Sequence, residues 1–220
     1  MGIEIAIQIV AEVLGWSNNV YVQTAGSGIT LFLSDWQAKN AERVVGRLRS
    51  EMQYLDQRKV DKAFMHSDTF KEFVIQVIKN ASETASEVKQ DAFVRLTINT
   101  LQGSLETFKD KHLLRRLLDQ ISESEIAALV ELHRVEQKLK INVVSEEEQN
   151  FFRAENHLSS RLGWSKEDVL VGMAGLQQLG LVTDGVVIED HNGVPRIPRW
   201  STDLASRLMQ AIQNQNLSDN

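Results

Sequence analysis

The stretch Leu158-Ser159-Ser160-Arg161-Leu162-Gly163-Trp164-Ser165-Lys166-Glu167-Asp168-Val169, followed by Leu176-Gln177-Gln178-Leu179-Gly180-Leu181-Val182, decides how this chain folds. Glycine takes the left-handed conformation that ends a helix without a Cβ clash, and a serine hydroxyl at an N-cap accepts from a free backbone N–H. Gly163 and Ser165 therefore read as the end of one helix and the start of the next, and Leu179-Gly180-Leu181 ends the second helix in the same way. Beyond it, the polar turn Asp190-His191-Asn192-Gly193 separates Val186-Val187-Ile188 from the segment Val194 to Trp200, as a β-hairpin requires.

Working outward, Ser122 and Glu125 have capping-box spacing and open a helix carrying Ile126, Leu129, Val130, Leu132 and Leu139. Ile141-Asn142-Val143-Val144 suits a short strand, and Ser145 to Leu162 a second helix with Phe151, Phe152 and Leu158 facing in. Glu146-Glu147-Glu148 place carboxylates at the positive end of that helix's dipole. Thr202 to Gln213 closes the unit as a helix with Leu204, Leu208, Met209 and Ile212, and residues 216–220 form a frayed tail. This succession resembles a winged helix over residues 121–215. The resemblance puts the helix after Ser165 in the position that reads DNA in such folds.

Residues 1–120 read as an antiparallel helical bundle, so the expected fold is mainly α: a bundle, then a winged-helix-like α+β domain with a small β-hairpin. Residues 3–14 form a helix candidate, apolar except for a stripe of Glu4, Gln8 and Glu12, which calls for burial within the bundle or in a homo-oligomer. Residues 18–28 contain a short extended piece or loop. A long helix is predicted from near Ile29 to about Leu55, with Leu33, Trp36, Ala41, Val44, Leu48, Met52 and Leu55 on one side. Lys39, Arg43 and Arg47 line another face, either solvated and paired with Glu42 and Glu51 or open to phosphate or an acidic partner. Ser67-Asp68-Thr69 announces the next helix, with Thr69 and Glu72 in capping-box spacing, and Thr84 with Glu87 repeats that spacing ahead of a further one. The first carries Phe70, Phe73, Val74, Val77, Ile78 and Ala81; the second carries Val88, Phe93, Leu96, Leu101, Leu105 and Phe108. Lys111 to Gln120 gives a short helix with Leu113, Leu114, Leu117 and Leu118.

Leu55-Asp56 through Lys62-Ala63-Phe64, Phe70-Lys71-Glu72-Phe73, and Leu117-Leu118-Asp119-Gln120-Ile121-Ser122 leading to Ile126 give this region a pattern of helix lengths and breaks. Over about residues 29–135 it resembles bacterial helical proteins of the abortive-infection alpha type. The resemblance implies a bundle used in interaction, in a phage-defence setting and without a known enzyme activity, and it transfers no site residues. The repeat of Leu14-Gly15-Trp16-Ser17 in Leu162-Gly163-Trp164-Ser165 reuses a good helix stop and restart, since the flanking sequences do not align.

At 220 residues, 42% apolar and 25% charged, the chain has the make-up of a globular protein with room for two small domains. It has no cysteine, which rules out a disulfide framework or thiolate metal site and suits a reducing cytoplasm. The N-terminus lacks the basic region of a signal peptide, and the apolar run Ile3 to Leu14 falls short of the about 20 residues a membrane span needs. A cytoplasmic protein is expected. The net charge of −6 is unevenly placed: residues 1–120 hold 15 acidic and 15 basic side chains, residues 121–220 hold 15 and 9. A DNA-binding domain is normally positive, and here the winged-helix half carries the whole negative excess.

No catalytic constellation emerges, and no enzyme, cofactor or metal is expected. His66, His112, His133, His157 and His191 lie far apart without an HExxH-type pair, and Gly26-Ser27-Gly28 lacks the remainder of a phosphate loop. In the helix after Ser165, Val169, Met173 and Leu176 are assigned to the core. Leu170, Val171, Gly172, Ala174, Gly175 and Gln178 remain as a candidate protein-contact face. Each glycine costs about 1 kcal/mol relative to Ala within a helix, so two of them suggest close approach by another surface. The alternative is a DNA-binding regulator using Lys166 and Gln177 of that helix with Arg196, Arg199 and Arg207; Trp164 and Trp200 read as packing residues. The reading put first is a non-catalytic protein-interaction module that forms a homo-oligomer, its other partner unidentified.

Overall fold

Where each helix begins is decided by which side chain first satisfies the free N–H groups of its opening turn. In the computed structural model the described residues are 21–23, 30–32, 35–55, 58–102, 108–140, 154–184, 188–189, 195–196 and 199–212. Among them the chain is mainly helical. It divides into two compact units, residues 1–119 with 211–220, and residues 120–210. The expected limits were 1–120 and 121–215. Ala211 groups with the first unit, where its carbonyl accepts from Asn99 Nδ2 at 2.8 Å.

In the first unit, β1 (Tyr21–Gln23) pairs antiparallel with β2 (Thr30–Phe32), Val22 opposite Leu31. This corrects the expectation of a helix from Ile29: residues 30–32 find a strand partner, and α1 (Asp35–Gln53) starts only at Asp35. It buries Ala41, Val44, Val45, Leu48 and Met52, but Trp36, in its first turn and one turn before the first buried residue Asn40, is 47% exposed. Asp61 caps the short α2 (Lys62–Met65), its carboxylate accepting from the Phe64 N–H at 2.9 Å.

The next two caps differ from expectation. Ser67 opens α3 (Asp68–Ser82) by accepting from the Phe70 N–H at 3.1 Å, which leaves Thr69 inside the first turn. Ser86 opens α4 (Glu87–Leu101) by accepting from the Lys89 N–H at 3.1 Å, while the Thr84 hydroxyl accepts from the Ser86 N–H in the turn before it. Helix α4 ends at Leu101, so Phe108 begins α5 (Phe108–Gln120) instead of closing α4. Phe70, Phe73, Val74, Val77, Ile78, Phe93, Leu96, Leu101, Leu114 and Leu118 build the core, whereas Val88 and Leu113 are exposed.

Helix α1 packs on α3 and α4, and α3 on α4. Asn40 Nδ2 donates to the carbonyls of Ser82 and Thr84, and ion pairs join Arg43 to Glu87 and Arg47 to Asp91. Those pairs advance four residues on both helices together, so α1 and α4 run parallel with α3 opposed to both. Arg43 and Arg47 of the basic line are thus answered by α4 and not by Glu42 and Glu51 of their own helix.

In the second unit, α6 (Glu123–Lys140) begins at a reciprocal box: the Ser122 N–H donates to Glu125 Oε2 at 2.7 Å and the Glu125 N–H to Ser122 Oγ at 3.2 Å. Helix α7 (Ala154–Leu162) passes to α8 (Lys166–Gln178) through Gly163 at φ 68°. Ser165 and Asp168 form the same kind of box at the start of α8. Its end is a Schellman turn, in which the Gly180 N–H reaches the Gln177 carbonyl and the Leu181 N–H the Leu176 carbonyl, both at 2.9 Å, with Leu176 and Leu181 fully buried.

Helix α6 packs against α7 and α8 around Ile126, Leu129, Leu158, Val169, Met173 and Leu176. Then come β3 (Val182–Asp184), β4 (Ile188–Glu189), β5 (Pro195–Arg196) and β6 (Arg199–Ser201), β3 antiparallel to β6 and β4 to β5. Thr202 pins the start of α9 (Asp203–Ile212): its N–H donates to the Leu181 carbonyl, its hydroxyl to the Gly180 carbonyl, and its Oγ1 accepts from Ala205.

Several readings lie outside the described residues. They are the helix over 3–14, Gly26-Ser27-Gly28, the first of the repeated helix ends, Leu33, Leu105, the strand over 141–144, Phe151 and Phe152, the turn 190–193 and the tail.

Candidate interaction face of helix α8

Helix α8 is held on one side by Val169, Met173 and Leu176, all fully buried. At 3.6 residues per turn this fixes what points away. Glu167, Leu170, Val171, Ala174 and Gln178 are exposed on the opposite side, Leu170 at 48% and Val171 at 73%. Adjacent aliphatic residues in water on a well-capped helix are the least expected feature of this unit. Glu167 is the carboxylate of this face, and the exposed Lys166 borders it one turn before Leu170.

The two glycines of α8 have an internal explanation. A Cβ on Gly172 would lie 3.0 Å from the Trp164 ring, and one on Gly175 would lie 1.8 Å from Glu125 Oε1. The close approach that they permit is made by the chain itself: the indole of the interhelical turn over Gly172, and the capping carboxylate of α6 over Gly175. Of the six candidate contact residues, Leu170, Val171, Ala174 and Gln178 are open, Gly172 is buried and Gly175 half-buried.

The residues of the DNA reading are spread over several elements. Lys166 opens α8 and Gln177 lies in its last turn, both exposed; Arg207 is half-buried in α9. Arg196 stands in β5 opposite Ile188, and Arg199 in β6 opposite Asp184. Of the histidines, His66 is exposed and His112 and His133 are half-buried. Among the described residues no group of three or more His, Cys, Asp or Glu could hold a metal ion.

Sequence reasoning passed over three polar clusters. Glu136 of α6 is buried and accepts from both the backbone N–H and the hydroxyl of Ser201, the former at 2.6 Å, fastening β6 to α6. Glu131 takes two hydrogen bonds from Arg134 and lies 3.6 Å from Arg161 Nε of α7. In the first unit Lys111 is buried, with its ammonium 3.6 Å above the Phe64 ring and 3.7 Å from Asp61 Oδ2. Burial pushes its pKa down, an effect that Asp61 partly offsets. The signal was present: Lys111 stands three and seven residues before Leu114 and Leu118, and Glu136 four residues after Leu132, so both sit on apolar stripes.

No family model, curated protein or solved structure matches the chain. The class its own structure defines is a mainly helical, two-unit protein. Among the described residues no helix is long and apolar enough to cross a membrane.

Proposed function

We propose that the second unit is a winged-helix-like module, the antiparallel pairs of β3 to β6 forming its wing, and that its α8 contacts a protein instead of DNA. One observation supports this reading: Leu170 and Val171 lie open on α8, with Lys166 and Glu167 as the charged residues one turn before them. Fully burying a Val or Leu side chain is worth about 1.5–3 kcal/mol, so a partner that covers both gains substantially. A phosphate backbone gains nothing from them and meets a half-chain with 15 acidic against 9 basic residues.

The module is non-catalytic in this proposal, the chain cytoplasmic and bacterial, and residues 3–14 mediate self-association. The phage-defence setting belongs to the proposal too and rests on the helix pattern of residues 29–135. The alternative, a DNA-binding regulator, keeps Lys166, Gln177, Arg196, Arg199 and Arg207 as its contacts. Electrophoretic titration against genomic fragments at two salt concentrations separates the two. We expect no specific complex; a specific complex weakened by Arg196→Ala and Arg199→Ala would establish the alternative. Light scattering at micromolar concentration tests self-association, which a monomer would overturn.

A further inference from the structure

Helix α5 directs a row of cations inward. Lys111 is buried between the Phe64 ring and Asp61. One position on, the half-buried His112 ring stands edge-on to Phe73 of α3, centroids 5.9 Å apart at 90°. One turn later Arg115 donates to Asn80 Oδ1 of α3 at 2.6 Å. Lys and Arg are ordinarily cationic at neutral pH, and His is the side chain whose ordinary charge change lies nearest to it.

We propose that α5 is an acid-released latch: protonation of His112, packed on Phe73 of α3, sets a further cation near Arg115 and loosens α5 from α3. Among the described residues, charged groups reach this position from three neighbouring segments and from α5 itself. From α3 the contribution is Glu72, which is exposed and therefore screened by water. Asp61, from the segment before α2, is committed to Lys111 and to capping α2. From α4 the contact is another cation, Lys89, whose ammonium donates to the Asp119 carbonyl at 2.8 Å. On α5 itself the other described charged residues are Asp110, Arg116 and Asp119, and Asp119 is exposed.

Burial, and then the Arg115 charge, lower the His112 pKa from its ordinary value, with Glu72 pulling the other way. The sign follows. A base whose folded pKa lies below its unfolded value contributes stability in full above the unfolded value, about 6.5, and loses it as pH falls toward and through the folded value. The latch is therefore closed at pH 7.5 and loosens as pH falls below about 6.5.

The test is hydrogen exchange followed by mass spectrometry on the intact chain at pH 7.5 and 5.5, corrected for the intrinsic pH dependence of exchange. We expect protection over residues 108–120 to fall severalfold at the lower pH in the wild type and to stay level in His112→Gln, with the α1 and α3 peptides largely unaffected. Equal loss in wild type and His112→Gln, no loss in either, or a loss shared by the whole first unit would overturn the latch. Should His112→Gln fail to fold, the wild-type His112 ring can be titrated by NMR. A midpoint below the ordinary histidine value of about 6.5 supports the proposal, and one at or above it overturns it.

Discussion

Gly175 lies where a Cβ would come 1.8 Å from Glu125 Oε1 and 3.0 Å from its Cδ. The obstacle is the tip of a flexible side chain, so Gly175→Ala moves the carboxylate rather than the backbone. The variant gives up Glu125's bond to the Ser122 N–H and gains the helix propensity of alanine. Losing a capping interaction costs about 0.5–2 kcal/mol and the glycine-to-alanine gain is about 1 kcal/mol, so the terms nearly cancel. In a Glu125→Ala background the same change should stabilise by about 1 kcal/mol, which urea denaturation of the four proteins measures. Gly163→Ala behaves differently. At φ 68° a side chain is strained whatever the space around it, and we expect a loss of about 1–2 kcal/mol by the same assay. Turn chemistry of this kind was legible because it is local: Gly163, Ser165, Gly180 and the Ser122 box could each be placed from neighbours within four residues. The caps of α3 and α4 were misplaced because each has two hydroxyl residues within reach, Ser67 or Thr69 and Thr84 or Ser86, and the flanking chain chooses between them.

At the scale of elements, the buried carboxylate of Glu136 ties β6 to α6 through both donors of Ser201. Truncation to alanine leaves the Ser201 N–H without its acceptor in a partly buried place. Loss of hydrogen bonds to a charged group costs about 1.5–3 kcal/mol, so Glu136→Ala should destabilise the second unit by that amount. Glu136→Gln should cost less, since one oxygen remains to accept the N–H and the Ser201 hydroxyl can turn to accept from the amide. Exchange protection of residues 199–201 should fall in both variants, more steeply in the alanine one. Such ties were not legible, because which strand meets a polar residue on an apolar stripe depends on contacts 65 residues apart. The start of α1 failed for the same reason: residues 30–32 fit a helix by spacing, and their pairing with 21–23 is decided across the chain. The inward side of α8 was readable, since Val169, Met173 and Leu176 repeat at helical spacing and are all buried.

For the whole molecule, charge and apolar exposure act together. The acidic half of the sequence holds the helix whose open face is aliphatic, so a partner gains by covering Leu170 and Val171 and gains little by bringing phosphates. Val171→Asp should leave the melting temperature nearly unchanged, because the residue is 73% exposed, while weakening any complex made through α8. What α8 touches was beyond the reach of sequence, since its glycines pointed to a close neighbour without saying that the neighbours are Trp164 and Glu125. The most direct test places a photoreactive amino acid at Val171 in the full chain inside living cells, with Tyr54 of the first unit as the control position. Irradiation should yield a discrete adduct from Val171 that resists nuclease and is destroyed by protease; an adduct shortened by nuclease, or protein adducts no different from those at Tyr54, would contradict a protein-contact role for α8.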